Sequence, residues 1–259
     1  WLFVGVRRLA IPASARVWVA FLVMGLLNNI IPFCLMAWAQ LQIETGLTSI
    51  LNATTAIFGV VVAAIVFADE RLTARKATGV LLGFLGVATA IGIESFMSFD
   101  PRSLAQLAVL GGTLSYALAG AWARKTLGTL NPAIAAAGML TGSSVVMVPL
   151  AWAIEGAPSL ALQPATLAAI AYYAFAATAL AYLLYYRVLA MAGSSNLLLC
   201  TLLIPPVAIF LGALVRNEAL GTQAYLGFIL LTLGLLILDG RIFRRRKPQN
   251  SVGPKSLSG

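Results

Sequence analysis

The sequence predicts an all-α integral membrane protein, an inverted five-plus-five helix repeat of which this chain carries about eight complete transmembrane helices. Three observations predict it: the composition, the apolar runs, and a segment that recurs in register. The 259 residues are 61% hydrophobic and 10% charged, with a mean hydropathy of +0.95. One soluble core of this length cannot hide so many apolar side chains, so lipid is the expected solvent. The runs are close to the ~20 residues that a spanning helix needs. They are continuous, with charges only at their ends, which fits helices better than the alternating strands of a barrel.

The recurring segment is GLTSILNATTAIFGVVVAAIVFADERLTARKATGVLLGFLGVATAIG, Gly46 to Gly92. It returns 148 positions later as SSNLLLCTLLIPPVAIFLGALVRNEALGTQAYLGFILLTLGLLILDG, Ser194 to Gly240. Glu70, Leu72, Gly79, Gly86 and Gly92 fall on Glu218, Leu220, Gly227, Gly234 and Gly240 without a gap. An acidic turn and three glycines held in register indicate an internal duplication, and duplication in an apolar chain points to transporters.

The apolar stretches are eight in number: Val17 to Gln40, Gly46 to Ala68, Ala77 to Glu94, Leu104 to Ala123, Pro132 to Ile154, Thr166 to Tyr186, Ser195 to Val215 and Gln223 to Gly240. The opening WLFVGVRRLAIP reads as the last turns of a further apolar helix and a basic loop. Two helices precede the second copy but only this remnant precedes the first, so a whole helix and most of a second are expected upstream of Trp1. The expected organisation is a first repeat over 1–94, a second over 95–240, and a basic cytoplasmic tail over 241–259 that lacks the apolar content to fold.

Lys and Arg together number 17 against 8 Asp and Glu, a net charge of +9. The placement of the charges argues against nucleic acid. With the tail inside, Arg102 and Arg216 alone fall outside, as the positive-inside rule requires. The RRRK run then reads as a topological and lipid-headgroup anchor. Five helices per half is an odd number, so the second half enters the membrane upside down. The turn DERLTARK is basic and inward, and its copy RNEALGTQ carries one arginine and faces outward. Two such halves are related by a pseudo-two-fold axis in the membrane plane, and exchanging their conformations exchanges inward and outward openings.

There is no histidine, and the two cysteines, Cys34 and Cys200, sit apart within apolar runs. No metal site, cofactor site or histidine-based catalysis is expected. The first full helix carries Asn28, Asn29 and Pro32 near its middle, where an amide must bond a neighbouring helix or face a polar solute. Pro32 also frees a backbone carbonyl. The next helix sets Thr48, Asn52 and Thr55 on one face, a surface for either packing or pocket lining. Gly79, Gly83 and Gly86 read as a packing seam. Tyr116 falls at mid-membrane and needs a partner for its hydroxyl. Thr141, Ser143 and Ser144 read as packing or backbone-bonded hydroxyls. Tyr182 and Tyr186 lie one turn apart, able to stack a planar or cationic solute, with Tyr186 and Arg187 nearer the interface. Pro205 and Pro206 break their helix at its middle, exposing carbonyls near Thr201 and Leu202, in the manner of helices that frame transporter sites.

From Thr178 to Ile237 the chain resembles the EamA family of the drug/metabolite transporter superfamily. The resemblance rests on the Tyr-rich helix end, the Gly193 turn, the mid-helix proline, the Gly212 region, the Glu218-x-Leu220 turn and the glycines of the last helix. It recurs more weakly from Asn29 to Gly92. It implies ten helices in two inverted repeats and transport of small organic solutes, often efflux of amino acids or other metabolites. It also implies a central cavity whose walls include the helices beginning near Val17, Gly46, Thr166 and Ser195. Two departures stand out: the family's first helix is missing, and Ile57 occupies the position matching Pro205.

The substrate-binding candidates are therefore Asn28, Asn29, Thr48, Asn52, Thr55, Tyr116, Tyr182 and Thr201, with Pro32, Pro205 and Pro206 as conformational elements. All eight acids lie at predicted helix ends or in loops, so a neutral or zwitterionic solute fits better than a strongly ionic one. The expected partners are the lipid bilayer and that solute. The glycine seams permit a homodimer, and a bacterial inner membrane with a cytoplasmic C-terminus is the expected location. A non-transporting assembly subunit is the alternative. A membrane-embedded enzyme is weaker, because it needs convergent acids, histidines or a metal.

Overall fold

The computed structural model describes residues 1–92, 97, 99–100, 103–157, 162–204, 206–207, 210, 214 and 221–239. Every regular element among these is helical. The expected turn at Glu218 and Leu220, the Gly212 region, Arg216, Pro205 and the tail from Gly240 onward lie outside the described residues, as does Arg102.

A short α1 (Leu2–Val6) precedes α2 (Ala15–Ala39), α3 (Thr45–Val66), α4 (Ala74–Ile91), α5 (Leu104–Thr126) and α6 (Pro132–Glu155). A helical run then extends over Pro164–Leu203. Gly193 breaks it with φ +80° and ψ 173°, so it divides into α7 (164–192) and α8 (194–203). The last described helix is α9, Thr222–Asp239. Six helices among the described residues are long and apolar enough to cross a membrane, and Thr222–Leu238 is a shorter apolar helix. The chain is thus an integral membrane protein. Helix starts reflect local chemistry: Thr73 accepts from the N–H of Lys76 before α4, and Asn131 accepts from the N–H of Ala133 before α6, where Pro132 takes the first helical position.

Two helices contain wide π-helical turns, Leu26–Ile30 in α2 and Tyr173–Leu180 in α7. Shifting Leu26–Ile30 by 148 gives 174–178, inside the second π stretch. A π turn inserts one residue into the ladder and rotates the rest of the helix relative to the part before it, and such turns favour functional sites. In α2 it lets two consecutive residues, Asn28 and Asn29, both point inward and both be buried.

Helices α4 and α9 pack antiparallel along their glycines. A Cβ on Gly79 would meet the carbonyl of Gly234 at 2.9 Å, and one on Gly86 would meet the carbonyl of Gly227 at 2.7 Å. Backbones this close require that a Cβ be absent on both helices. Elsewhere α2 packs on α6 through Phe21 and Met24, both buried with Met139. Helix α3 packs on α5, where Thr54 donates to the hydroxyl of Thr113 at 3.1 Å. It also packs on α8, where Leu198 fills the space beside Gly59. Residues 164–177 of α7 are exposed on every face.

Candidate functional site

Between α2, α6, α7 and α8 lies a cavity of about 530 Å³, lined by residues that include Asn29, Thr178, Tyr182, Tyr185, Leu197 and Cys200. That volume falls within the range of small-molecule pockets. Both π turns reach it, the first through Asn29 and the second through Ala177 and Thr178. No charged side chain lines it among the described residues.

Its polar wall is a chain of neutral hydrogen bonds. Tyr182 donates its hydroxyl proton to Asn29 Oδ1 at 2.6 Å, and Asn29 Nδ2 donates to Ser143 Oγ at 2.7 Å. Ser143 in turn donates to the carbonyl of Met139 at 3.0 Å. Asn28 Nδ2 lies 3.2 Å from both the Tyr182 hydroxyl and Asn29 Oδ1. The two amides are therefore cross-links between α2, α6 and α7, and Asn29 is at the same time part of the cavity wall. Such a network fixes the side-chain orientations at the wall, since each donor already has a partner.

Tyr185 is different. Its hydroxyl is buried without a hydrogen-bond partner among the described residues, as are the Tyr186 hydroxyl, Asn52 Oδ1 and Thr55 Oγ1. A buried polar atom left unpaired is costly, and Tyr185 lines the cavity. Its ring meets those of Tyr182 and Tyr186 edge-on, at centroid distances of 5.9 and 5.2 Å.

The other expected residues are dispersed. Tyr116 packs edge-on to Phe33, a cavity residue, at 6.4 Å. Thr48 is buried in the first turn of α3 and donates to the carbonyl of Glu44. Asn52 and Thr55 share a face of α3 outside the cavity lining, although Asn52 is the 148-residue counterpart of Cys200, which lines it. Thr201 donates to the carbonyl of Leu198 within α8. Pro32 is buried, with its Cα 3.4 Å from where a Cβ on Gly112 would stand. Pro206 is half-buried. No group of His, Cys, Asp or Glu able to hold a metal occurs among the described residues.

Sequence reasoning overlooks Tyr185, reads Ser143 as a packing or backbone-bonded hydroxyl without its bond from Asn29, and places every acid at a helix end or loop without finding a buried one. Glu70, in the α3–α4 turn, is buried. It accepts from the backbone N–H groups of Ser194 and Ser195 at 3.1 and 3.2 Å, from Ser194 Oγ at 3.2 Å, and from Arg124. Arg124 also holds Asp69 and lies 4.3 Å above the Phe67 ring. Burial by itself would raise the Glu70 pKa. The hydrogen bonds of Ser195 and Ser194, with the Arg124 charge, outweigh it and hold the carboxyl below its ordinary value of 4.5. The sequence signal is the pairing of Gly193 with two serines, which marks a helix start able to take an anion.

Comparison with known proteins agrees with this architecture. A protein of known crystal structure superposes with a TM-score of 0.76 at 15% identity, over 91% of this chain and 81% of that one, a likeness of fold alone. The "Uncharacterized transporter YoaV" of Bacillus subtilis (strain 168) is 22% identical over 88% of this chain and 77% of its own length. An "Uncharacterized transporter" of Archaeoglobus fulgidus is 25% identical over 77% of this chain and 69% of its own. The profile of the EamA-like transporter family matches residues 1–92 and 103–238. The chain is therefore a member of the EamA-like transporter family, within the drug/metabolite transporter superfamily, and a membrane transporter.

Proposed function

We propose that this transporter exports small neutral or zwitterionic metabolites, amino acids among them, by alternating access between two inverted repeats. The observation that carries the reading is the cavity flanked by two π turns 148 positions apart, one from each proposed repeat. A solute there would contact equivalent segments of both halves, as expected when a site lies at a repeat interface. The reciprocal glycine crossing of α4 and α9 supports the same relation. Gly79 matches Gly227 in sequence yet packs on Gly234, and Gly86 matches Gly234 yet packs on Gly227. A pair of contacts exchanged in this way is the mark of a two-fold axis.

The wall chemistry supports the solute class. Neutral amide and hydroxyl groups can bond a polar solute, and the apolar remainder suits a hydrocarbon portion. The uncharged lining gives a strongly ionic solute no counter-charge. Of the buried unpaired polar atoms, the Tyr185 hydroxyl alone belongs to a described cavity-lining residue, and we assign it to the solute with Asn29 and Tyr182. The test is counterflow of a panel of radiolabelled amino acids and neutral metabolites in proteoliposomes. Uptake of at least one solute, abolished by Asn29→Ala, supports the reading, and the absence of flux for the whole panel contradicts it.

A further inference from the structure

We propose that Glu70 is the latch that holds the cavity closed at the end where the α3–α4 turn, the end of α5 and the start of α8 meet; this rests on the transport reading above. A helix is ordinarily capped by the residue just before its first turn, which ties the helix only to itself. The residue before α8 is Gly193, which has no side chain. The carboxylate that accepts from the Ser194 and Ser195 amides comes from Glu70, 124 positions away. The cap is thus a tertiary contact, which can break without unfolding α8. It is also strong, because the anion faces the positive end of a helix and an arginine at once.

The surroundings are built for this contact. Gly193 adopts φ +80°, and a Cβ there would stand 2.7 Å from Glu70 Oε1, so a larger residue would be strained and would also displace the carboxylate. Arg124, from the end of α5, binds Glu70 and Asp69 together. Lys76, from the start of α4, reaches Ser195 Oγ at 3.5 Å. The end of α5 and the start of α8 therefore meet at the carboxylate of the α3–α4 turn, with α4 joined through Ser195. From the latch, α8 runs directly into the cavity wall. Leu197 and Cys200 lie three and six residues beyond Ser194, about 4.5 and 9 Å along the helix. Opening toward this end requires α8 to part from the α3–α4 turn, and so requires Glu70 to release the two amides.

Cys34 and Cys200 are the two cysteines of the chain. Cys200 lines the cavity and is exposed, so in a Cys34→Ser background it is the change in its reactivity between variants, compared between the two faces, that reports access to the cavity. The full chain is reconstituted in proteoliposomes and treated with a membrane-impermeant maleimide from either face. Glu70→Gln keeps the side-chain size and removes the charge. It should raise Cys200 labelling from the Glu70 face about tenfold, with labelling from the opposite face unchanged or lower. Ser194→Ala removes one hydroxyl bond and should shift labelling the same way by about threefold, which keeps the test available if Glu70→Gln does not fold. An equal rise at both faces means general loosening and overturns the latch. Cys200 that is reactive from the opposite face but indifferent to Glu70→Gln also overturns the latch and leaves the cavity intact. Cys200 unreactive from both faces in every variant overturns the latch as well, whereas the transport reading fails only if the counterflow panel shows no flux.

Discussion

The carbonyl oxygen of Gly86 lies 2.5 Å from where a Cβ on Gly227 would stand, and the carbonyl of Gly227 lies 2.7 Å from where one on Gly86 would stand. Each glycine thus makes room for the other's backbone. A methyl group at either site collides with main chain that cannot rotate away.

Gly227→Ala should therefore separate α4 from α9 and destabilise the protein by about 1–3 kcal/mol, the usual cost of overpacking. Gly221→Ala, at a glycine with nothing within 4 Å among the described residues, is the control and should be nearly neutral. Thermal unfolding in detergent checks both. Equal midpoints for the two variants would remove the seam from the account.

Tyr182→Phe removes the donor to Asn29 Oδ1 but leaves the ring and the Ser143 bond in place. Stability should fall by about 1 kcal/mol or less, as is usual for single hydrogen bonds within a bundle. Solute affinity in counterflow should fall more, by about tenfold, because the Tyr182 hydroxyl is one of the groups assigned to the solute, while Asn29 Oδ1 keeps the Asn28 amide as its donor. Tyr185→Phe should differ in stability: it removes a buried unpaired hydroxyl, so stability holds or rises while solute affinity again falls. Unfolding and counterflow measured on both variants check the pair of outcomes.

Because hydrogen bonds and Arg124 hold the Glu70 pKa below 4.5, its contribution to stability is complete above that pH and is lost as pH falls through the lowered value. Asp69, lowered by the same arginine, acts in the same direction. The groups facing Glu70 besides Asp69 are Arg124 and, beyond Ser195, Lys76. Stability measured from pH 7 to pH 3 should stay level with respect to Glu70 down to about 4.5 and then fall. Glu70→Gln should flatten the lower part of that profile, and an unchanged profile would show that Glu70 does not contribute.

Gly193→Ala places a Cβ at φ +80° and 2.7 Å from Glu70 Oε1. That backbone region, essentially glycine's alone, costs another residue roughly 1–3 kcal/mol. The thermal midpoint should drop well below that of Gly221→Ala, and a midpoint equal to that control would mean that the turn relaxes freely.

Much of this is legible in the sequence because hydrophobic length and register are one-dimensional properties. The runs at Ala15–Ala39 and Pro132–Glu155 fall within two residues of the expected bounds, since lipid leaves a long apolar helix few alternatives. The α4 glycines read as a seam because spacing alone suggests one, but their partners on α9 require three dimensions. The π turns leave no clear trace, because the chain around Asn28 and Asn29 has ordinary helix-forming composition and the bulge is a response to packing. Asn29 and Tyr182 are legible as mid-membrane polar groups that need partners. Tyr185 is not, since three tyrosines within five residues give no sign of which one goes unpaired. Glu70 reads as a turn residue, and its burial depends on Ser194, 124 positions away.

The most direct test of the head-to-foot relation is the sidedness of one residue from each copy. Single cysteines are placed at Arg71, in the α3–α4 turn, and at Gly221, before α9, in a background where Cys34 and Cys200 are serine. Each is labelled with an impermeant thiol reagent in intact cells and in inverted vesicles. With the two repeats inverted, the two positions react from opposite sides of the membrane. Reaction of both from the same side would contradict the inversion.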